Sequence, residues 1–340
     1  MQTLEIVGKG RERIDAICRQ GDKIQKLYAT IMSYVPQSNN RWMNNATEKM
    51  LERTPRHIVE ELEGISKRTG CSVIGIAALN FLDELARLAN LGQHINPIAC
   101  SSLATYAIGD DAPVVIGRNL DYGFLLPELR DETCRYTHMD HGYGYDYISW
   151  SWPGFIGITT GLNSKGLWLA THTARSAHQS VGGVPNGILY RMVMEQAGSV
   201  QDANEIIRDN LPTCASNIML AQFDGGEAAI LEVDNASAKF RNDHISWNRR
   251  LRHCACTNHF QVLEGGRTSD SYLRQYYLNS EAAKMAEVSI PLVAKAMASP
   301  GILNDITVYS IITNGNTVLE QIGDGIESDE TRYDASSLEI

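Results

Sequence analysis

The segment Pro97-Ile98-Ala99-Cys100-Ser101-Ser102 decides how this chain folds, because the hydrophobic period changes there from helical to alternating. Helical patterns precede the segment, and a strand pattern begins at its cysteine. A second segment, Gly117-Arg118-Asn119-Leu120-Asp121-Tyr122, places an arginine eighteen positions after that cysteine. The two segments predict a hairpin that returns an arginine and an aspartate to a cysteine at the start of a strand.

Composition and charge are those of an ordinary globular chain. Hydrophobic residues make up 43% and charged residues 21% of the 340 positions, which is enough apolar material for a full core. The formal net charge is −10, so no global basic field would attract nucleic acid. We therefore expect no nucleic-acid partner.

The N-terminus and the cysteines bear on the compartment. Residues 1–11 contain no apolar core of a secretory signal, and no apolar stretch of the chain is long enough to span a bilayer. The seven cysteines are an odd number and are thinly spread, which is typical of reduced thiols. We expect a cytoplasmic protein without a membrane span.

Helical periodicity fills residues 9–88. Ile24, Leu27 and Ile31 recur at helical spacing, and a second helix ends at the C-cap Thr69-Gly70. A third helix is predicted over residues 72–88. Residues 89–99 then form a linker, because their Asn and Pro discourage regular structure. We expect residues 1–99 to be a helical pro-segment that self-cleavage turns into the smaller subunit.

Strand patterns dominate from residue 100 onward, interrupted by helices and followed by a polar tail over 327–340 that we expect to be frayed. The predicted elements are the hairpin 101–108 with 113–118 around Gly109-Asp110-Asp111, strands at 133–139, 145–150, 155–160, 166–173, 214–223, 227–234 and 252–257, helices at 186–198, 200–210 and 268–298, and a hairpin of 305–313 with 316–322 that turns at Asn314-Gly315. This order predicts an α+β fold with largely antiparallel sheets, its catalytic domain spanning 100–326.

Cys100 is the first candidate for chemistry. A thiol attacks as the thiolate, and a free cysteine has a pKa of roughly 8.5, so it needs activation by a cation or a base. Arg118 on the next strand is the candidate cation. Cleavage of the Ala99–Cys100 bond would supply a base, because an α-amine titrates at roughly 7.7–8.0. Asp121 could orient that amine by a charge-assisted hydrogen bond.

Each of these residues has a structural alternative. Cys100 could be a small buried hydrophobic residue at a strand start. Arg118 and Asp121 could form an ion pair at the end of a hairpin.

Three more polar residues are candidates for the site. Asn258 ends a strand and Asn163 lies in a tight turn, and each amide could stabilise an oxyanion. Arg274 opens a helix and could steady the site or bind a carboxylate. The alternatives are turn-forming asparagines and a surface arginine.

The segment His253-Cys254-Ala255-Cys256, with His259 after it, superficially resembles a set of metal ligands. Two cysteines separated by one residue point to the same face of a strand, and no second Cys/His pair follows at zinc-finger spacing. We therefore expect no metal and no other cofactor.

Aromatic residues are concentrated just downstream of the hairpin. They could form a wall for an apolar acyl group or simply make cross-strand contacts in a sheet. The candidates for substrate contact are Tyr122, Tyr147, Trp150, Trp152 and Phe155.

The two opening segments together resemble the catalytic chain of N-terminal-nucleophile cysteine hydrolases. Cys100-Ser101-Ser102-Leu103-Ala104 followed by Gly117–Tyr122 is similar to acid ceramidase and N-acylethanolamine acid amidase, and also to choloylglycine hydrolases and penicillin V acylases. Ala215-Ser216-Asn217-Ile218-Met219 and Thr257-Asn258-His259-Phe260 look more like the isopenicillin N acyltransferase-like branch.

That resemblance implies a fold and a set of roles. The fold would be a four-layer αββα sandwich. Cys100 would be the nucleophile and, through its freed amine, the base. Arg118 and Asp121 would order it, Asn258 would complete the oxyanion hole, and Arg274 would support the site.

The sequence thus predicts a self-processing cysteine amidohydrolase that cleaves the linear amide bond of a small N-acyl substrate by way of an acyl-thioester. Acyl transfer to an amine is one alternative. A binding protein that is never processed is a second, and a metal or redox protein using Cys254, Cys256 and His259 is a third. A homo-oligomer is compatible with this sequence.

Overall fold

The computed structural model describes residues 1–34, 40–89, 98–107, 113–123, 126–241, 245–246, 251–266, 268–323 and 329–332. Most of the predicted linker, the turn at Gly109-Asp110-Asp111 and most of the predicted tail lie outside these residues.

The helices before Cys100 are more numerous than the periodicity predicts. The first strand and the helices that follow it are β1 (Gln2–Val7), α1 (Gly10–Ile17), a 3-10 turn (Cys18–Gln20), α2 (Gly21–Tyr34), α3 (Asn40–Glu52), α4 (Arg56–Thr69), α5 (Val73–Asn80) and α6 (Leu82–Leu88). The predicted single helix over 72–88 is therefore wrong. It is interrupted at Phe81, whose φ of −112° and ψ of 19° are not helical, and the adjacent Asn80 side chain donates to the carbonyls of Ile76 and Gly154.

The described part of the chain from residue 98 onward contains the remaining strands and helices. They are β2 (Ile98–Ala107), β3 (Val114–Tyr122), α7 (Leu126–Glu132), β4 (Cys134–Met139), β5 (Tyr147–Ser151), β6 (Thr160–Asn163), β7 (Leu167–Thr173), α8 (Asn186–Gln196), α9 (Val200–Asp209), β8 (Ser216–Gln222), β9 (Glu227–Val233), β10 (Ala238–Phe240), β11 (Ile245–Ser246), β12 (Leu251–Cys256), α10 (Ser269–Ala283), α11 (Ile290–Met297), β13 (Thr307–Thr313), β14 (Thr317–Ile322) and β15 (Asp329–Arg332).

These strands form two sheets. The first has the order β1-β4-β5-β6-β7-β8-β9-β10, and the second has the order β11-β12-β2-β3-β13-β14-β15. Within the described residues β1 and β4 pair in parallel and all the other paired strands are antiparallel. The predicted antiparallel character is thus confirmed.

Helices cover the outer face of each sheet, which gives the four-layer αββα sandwich. The N-terminal helices together with α8 and α9 pack on the first sheet, and α10 and α11 pack on the second. The inner faces of the two sheets share one apolar core, in which Trp150 and Trp168 lie 5.6 Å apart between ring centroids. Cys100 lies in that inner core, on a central strand of the second sheet.

Three predictions of secondary structure need correction. The N-terminal segment is not purely helical, because Gln2–Val7 forms an edge strand with a single buried side chain, Ile6. The strand predicted over 155–160 begins only at Thr160. Residues 329–332 of the predicted frayed tail pair with β14.

The final hairpin is confirmed. Its two strands pair antiparallel, and Gly315 at the turn has a φ of 91°, a conformation that glycine adopts without strain.

A buried ion network joins the helices that precede Cys100 to those that follow it. Glu61 of α4 accepts from Arg13 of α1 at 2.8 Å and from Arg191 of α8 at 2.7 Å, and Arg191 also binds Glu195 at 2.7 Å. Burial by itself raises the pKa of Glu61, but Arg191 and Arg13 outweigh it and lower the pKa to about 2. The network therefore clamps the N-terminal segment to the rest of the chain.

We expect Glu61→Gln to destabilise the fold by about 3 kcal/mol, because it removes the carboxylate partner of the buried Arg13 and one of the two carboxylate partners of the buried Arg191. The measurement is urea unfolding. Since the pKa of Glu61 is depressed in the folded state, its contribution is present above its ordinary pKa of 4.5 and is lost as the pH falls toward about 2. The wild-type and variant stabilities should therefore converge in that window. Glu63→Gln, at a half-exposed position of α4, is the matched control and should stay within about 0.5 kcal/mol of wild type. A variant as stable as the control at neutral pH would contradict the clamp.

Candidate active site

The main-chain nitrogen of Cys100 is held by a side chain and not by the neighbouring strand. The pairing of β12 with β2 runs from Leu251–Ala107 to Cys256–Ser102 and stops there. Beyond it, the Cys100 N–H donates to Asn258 Oδ1 at 2.8 Å. The atom that self-cleavage would convert to an amine therefore faces an acceptor that does not depend on strand pairing.

The thiol of Cys100 lies against a buried arginine. Arg118 pairs in register with Ser102, so its side chain projects from the same face of the sheet as Cys100. Its Nη2 donates to Cys100 Sγ at 3.2 Å. Burial raises the pKa of the Cys100 thiol above its ordinary value, and the Arg118 charge lowers it only in part. Burial thus favours the protonated form of the thiol in the intact chain, and a nucleophilic attack by its sulfur would require a base.

Arg274 binds three groups around the cysteine. From α10 its Nη1 donates to the Cys100 carbonyl at 2.7 Å and to Ser101 Oγ at 2.9 Å, while its Nη2 donates to Asn258 Oδ1 at 3.0 Å. Asn258 in turn donates its amide to the Thr173 carbonyl at 2.9 Å. The structure thus brings Arg274 and Asn258 to the cysteine main chain.

Asp121 lies beside the peptide bond that would be cut. It pairs in register with Ala99 and projects from the face of β3 opposite to Arg118. Its carboxylate accepts from Thr307 Oγ1 at 2.7 Å and from Asn304 Nδ2 at 3.2 Å. Burial raises the pKa of Asp121, and these two hydrogen bonds oppose the shift. In the intact chain the Cys100 N–H points to Asn258, so orientation of a freed amine by Asp121 remains a prediction.

Asn163 does not join this group. Its Nδ2 donates to the Met194 carbonyl at 3.0 Å and to the Ala197 carbonyl at 2.8 Å, while its Oδ1 accepts from the amides of its own turn. Both amide hydrogens are committed to the end of α8. This placement does not support Asn163 as an oxyanion donor; it fixes the β6–β7 turn to a helix.

A cavity of about 770 Å³, its open mouth included, begins at Cys100. Tyr122, Trp152 and Phe155 line it, with the rings of Trp152 and Phe155 4.9 Å apart. Leu79 and Leu82 of the N-terminal helices line another wall. The cavity is therefore mainly apolar and is built from both sides of the Ala99–Cys100 bond.

Tyr147 and Trp150 are not among the residues that line this cavity, which corrects their assignment as substrate contacts. They lie on opposite faces of β5, because neighbouring side chains of a strand alternate. The Tyr147 hydroxyl accepts from Arg13 at 3.3 Å in the outer layer, and Trp150 donates to Glu320 Oε1 at 2.7 Å between the sheets. Both residues are structural in this arrangement.

Sequence reasoning missed two contributions to the site. His172 lies between the sheets, with Nε2 2.8 Å from Ser102 Oγ and Nδ1 3.4 Å from Cys256 Sγ. Burial, with Arg118 next in effect, lowers the pKa of His172 well below its ordinary value, so it is neutral. The other is Asn80, whose carboxamide holds the main chain of Gly154 and Ile156 at 2.9 and 2.8 Å. No local pattern marks either contact, since both join distant segments.

The cysteines of β12 are not arranged as metal ligands. Cys254 and Cys256 point into the core between the sheets, and His259 bonds to Ser271 Oγ at 2.8 Å. Among the described residues, no group of three His, Cys, Asp or Glu side chains could hold a metal ion. None of the seven cysteines, all of which lie in the described part of the chain, forms a disulfide bond.

None of the helices in the described part of the chain combines the length and the apolar character that crossing a membrane requires.

Two facing sheets between helical layers, with a cysteine near the start of a central strand, define the class of N-terminal-nucleophile hydrolases. The family model described as acyl-coenzyme A:6-aminopenicillanic acid acyl-transferase matches residues 108–292, more than half of the chain. The chain belongs to that family. The predicted resemblance is thereby confirmed, although the matched region begins after Cys100.

The solved structures that are similar to this chain share little sequence with it. A Caenorhabditis elegans N-acylethanolamine-hydrolyzing acid amidase ortholog is 16% identical, with 63% of this chain and 92% of that chain covered and a TM-score of 0.49. Penicillin V acylase from Agrobacterium tumefaciens is 12% identical, with 67% and 84% covered and a TM-score of 0.43. A mutant of the conjugated bile acid hydrolase from Clostridium perfringens is 12% identical, with 67% and 92% covered and a TM-score of 0.38. No curated protein matches the chain significantly.

We expect Arg118→Met to slow alkylation of Cys100 by iodoacetamide at neutral pH about tenfold or more, because loss of the adjacent charge raises the thiol pKa further. Peptide mass spectrometry separates Cys100 from the other six cysteines. Arg118→Lys keeps a charge at this position and should lose less reactivity. Equal rates in wild type and Arg118→Met would show that the guanidinium does not act on the thiol.

Proposed function

We propose that this protein is a self-processing cysteine amidohydrolase that cleaves the linear amide bond of a small N-acyl substrate, with Cys100 as nucleophile. The observation that carries the proposal is the arrangement around one residue. The thiol lies 3.2 Å from Arg118, and the main-chain N–H lies 2.8 Å from Asn258. A largely apolar cavity opens at the same cysteine, as an acyl group requires.

Processing would begin with the Cys100 sulfur attacking the carbonyl carbon of Ala99. The C–N bond breaks, the proton of the thiol passes to the nitrogen, which becomes the α-amine of Cys100, and water hydrolyses the resulting thioester to regenerate the thiol and leave a carboxylate on Ala99. The product is two fragments, 1–99 and 100–340. The two fragments would stay associated, because the ion network around Glu61 joins Arg13 and Glu61 of the first fragment to Arg191 of the second.

In the mature enzyme the freed α-amine would take the thiol proton. The raised pKa of the thiol in the intact chain is the reason that such a base is needed. The thiolate then attacks the substrate carbonyl, and an amide hydrogen of Asn258 would donate to the developing oxyanion. The leaving amine departs with a proton, and water releases the acid from the acyl-thioester. Asp121 would bind the ammonium form of the amine.

Transfer of the acyl group to an amine is the second candidate, and the description of the matching family favours it. The two reactions share the acyl-thioester and differ in whether water or an amine attacks it. Product analysis with and without an added amine distinguishes them. A cytoplasmic location belongs to the same proposal, since seven cysteines without a disulfide bond fit a reducing compartment.

The decisive experiment is intact mass spectrometry with N-terminal sequencing of purified protein, followed by an amidase screen on N-acyl ethanolamines, penicillin V and N-acyl amino acids. We expect a fragment beginning at Cys100, and we expect Cys100→Ala to remain a single inactive chain. An active enzyme with an unbroken chain, or full activity of Cys100→Ala, would refute the proposal. An uncut wild-type chain with an unreactive thiol would favour a binding protein.

We further expect Asn258→Ala to reduce kcat by about 100- to 1,000-fold, because it removes both the oxyanion donor and the acceptor of the Cys100 nitrogen. Steady-state kinetics on the processed fraction gives the value. Asn210→Ala, at the end of α9, is a control asparagine outside the candidate site and should retain wild-type kcat. An unchanged kcat in Asn258→Ala would remove Asn258 from the mechanism.

A further inference from the structure

Two glycines bring the loop that carries Phe155 against helix α8. Gly157 lies in that loop and Gly187 lies in the first turn of α8, and the Ile158 N–H donates to the Gly187 carbonyl at 2.9 Å. Neither glycine has a φ in the left-handed region. The backbone conformation therefore does not require glycine at either position, and the reason for it lies in the space around each Cα.

The space differs between the two glycines. A Cβ on Gly157 would lie 2.9, 3.0 and 3.1 Å from the carbonyl carbon, Cα and oxygen of Gly187, so any side chain there would force two main chains apart. A Cβ on Gly187 would lie 3.0 Å from Phe155 Cζ, whereas Gly157 Cα and Ile158 N would be in ordinary contact at 3.5 and 3.7 Å. Gly157 thus serves backbone packing, and the tight neighbour of Gly187 is the tip of one aromatic ring.

The Phe155 ring is the part of this contact that can yield. Helix α8 is fixed by the buried ion pair of Arg191 with Glu61 at 2.7 Å. The main chain of the loop is fixed by the two hydrogen bonds of the Asn80 side chain. The ring itself is only partly buried and lies against Trp152. A side chain added at the start of α8 would therefore displace the ring and not the helix or the loop.

Gly187 and Phe155 both line the cavity at Cys100, so a ring that moves away from α8 takes up space in that cavity. We propose that Gly187 is a positioning residue for substrate size: because it has no side chain, the Phe155 ring lies against α8 and leaves room for a long acyl group. The proposal rests on the proposed function in assigning the cavity to the acyl group. The length of ligand that the cavity accepts is a binding property and can be measured without catalysis.

The test is isothermal titration of the full-length Cys100→Ala chain with 1-butanol and 1-octanol. Each buried methylene strengthens the binding of an alkyl chain about fourfold. We expect the addition of Gly187→Val to weaken octanol binding about fourfold or more and to change butanol binding less than about twofold, because only the longer chain needs the lost space. Gly187→Ala should act in the same direction to a smaller extent.

A second substitution tests whether the effect passes through the ring. Phe155→Ala removes the ring that the new side chain would displace, so in that background Gly187→Val should change the octanol-to-butanol affinity ratio less than about twofold. Gly21→Val is the matched control and should leave the ratio unchanged, since no other heavy atom of the described residues lies within 4 Å of a Cβ at the start of α2.

Thermal unfolding shows whether each variant is folded. If Gly187→Val does not fold, Gly187→Ala carries the test, because alanine is a better helix former than glycine. An affinity ratio that is the same in wild type and in the folded Gly187 variants would overturn the proposal. A shift of the ratio that persists in the Phe155→Ala background would overturn it as well.

Kinetics of the processed enzyme then separate this proposal from the proposed function. N-butanoyl and N-octanoyl ethanolamine share one amine and differ in acyl length, and Gly187→Val should lower kcat/KM for the octanoyl substrate about fourfold or more relative to the butanoyl substrate. Failure of the wild type to cleave either, with the binding shift intact, would count against the proposed function alone. Cleavage of both with an unchanged ratio would count against the role of Gly187 alone.

Discussion

The hydrogen bond from the Cys100 main chain to the Asn258 side chain is the interaction on which the rest of the candidate site depends. A buried N–H on a central strand normally bonds to the next strand, and leaving it unpaired costs about 1–3 kcal/mol. The pairing of β12 with β2 stops at Ser102, and the Asn258 side chain accepts the Cys100 hydrogen bond in place of a strand carbonyl. Arg274 fixes both that side chain and the Cys100 carbonyl. The nitrogen can therefore change from amide to amine without loss of strand pairing.

A second constraint is electrostatic. Arg118 is fully buried, and its Nε and Nη1 have no hydrogen-bond partner among the described residues. A buried guanidinium without a carboxylate partner is unfavourable, so a negative charge beside Arg118 would be stabilising. A thiolate at Cys100 would place that negative charge 3.2 Å from Arg118 Nη2. The same group that costs stability in the resting chain thus favours the thiolate form of Cys100.

The sequence predicts those parts of the candidate site whose positions follow from the local pattern of one hairpin. Cys100 and Arg118 are brought together by the alternation and register of one hairpin, and the change of period at residue 100 falls two residues after the hairpin begins at Ile98. Because side chains alternate along β5, Tyr147 and Trp150 lie on opposite faces of the sheet. Their closeness in the sequence therefore does not place them in one pocket. The sequence does not decide the role of Asn163, because an asparagine that fixes a turn and one that binds an oxyanion look alike in sequence. The contact of Asn80 with the Gly154 loop could not be predicted, since no periodicity relates segments so far apart.

The cavity explains why the N-terminal segment cannot be a dispensable pro-segment under the proposed function. Leu79, Leu82 and the acids of α6 form one wall, and Asn80 holds the loop that carries Trp152 and Phe155. Release of residues 1–99 would therefore open the cavity and free the aromatic wall together. The buried network of Arg13, Glu61 and Arg191 opposes that release. Chain cleavage at Ala99 can then change the chemistry of one nitrogen while leaving the packing around the cavity in place.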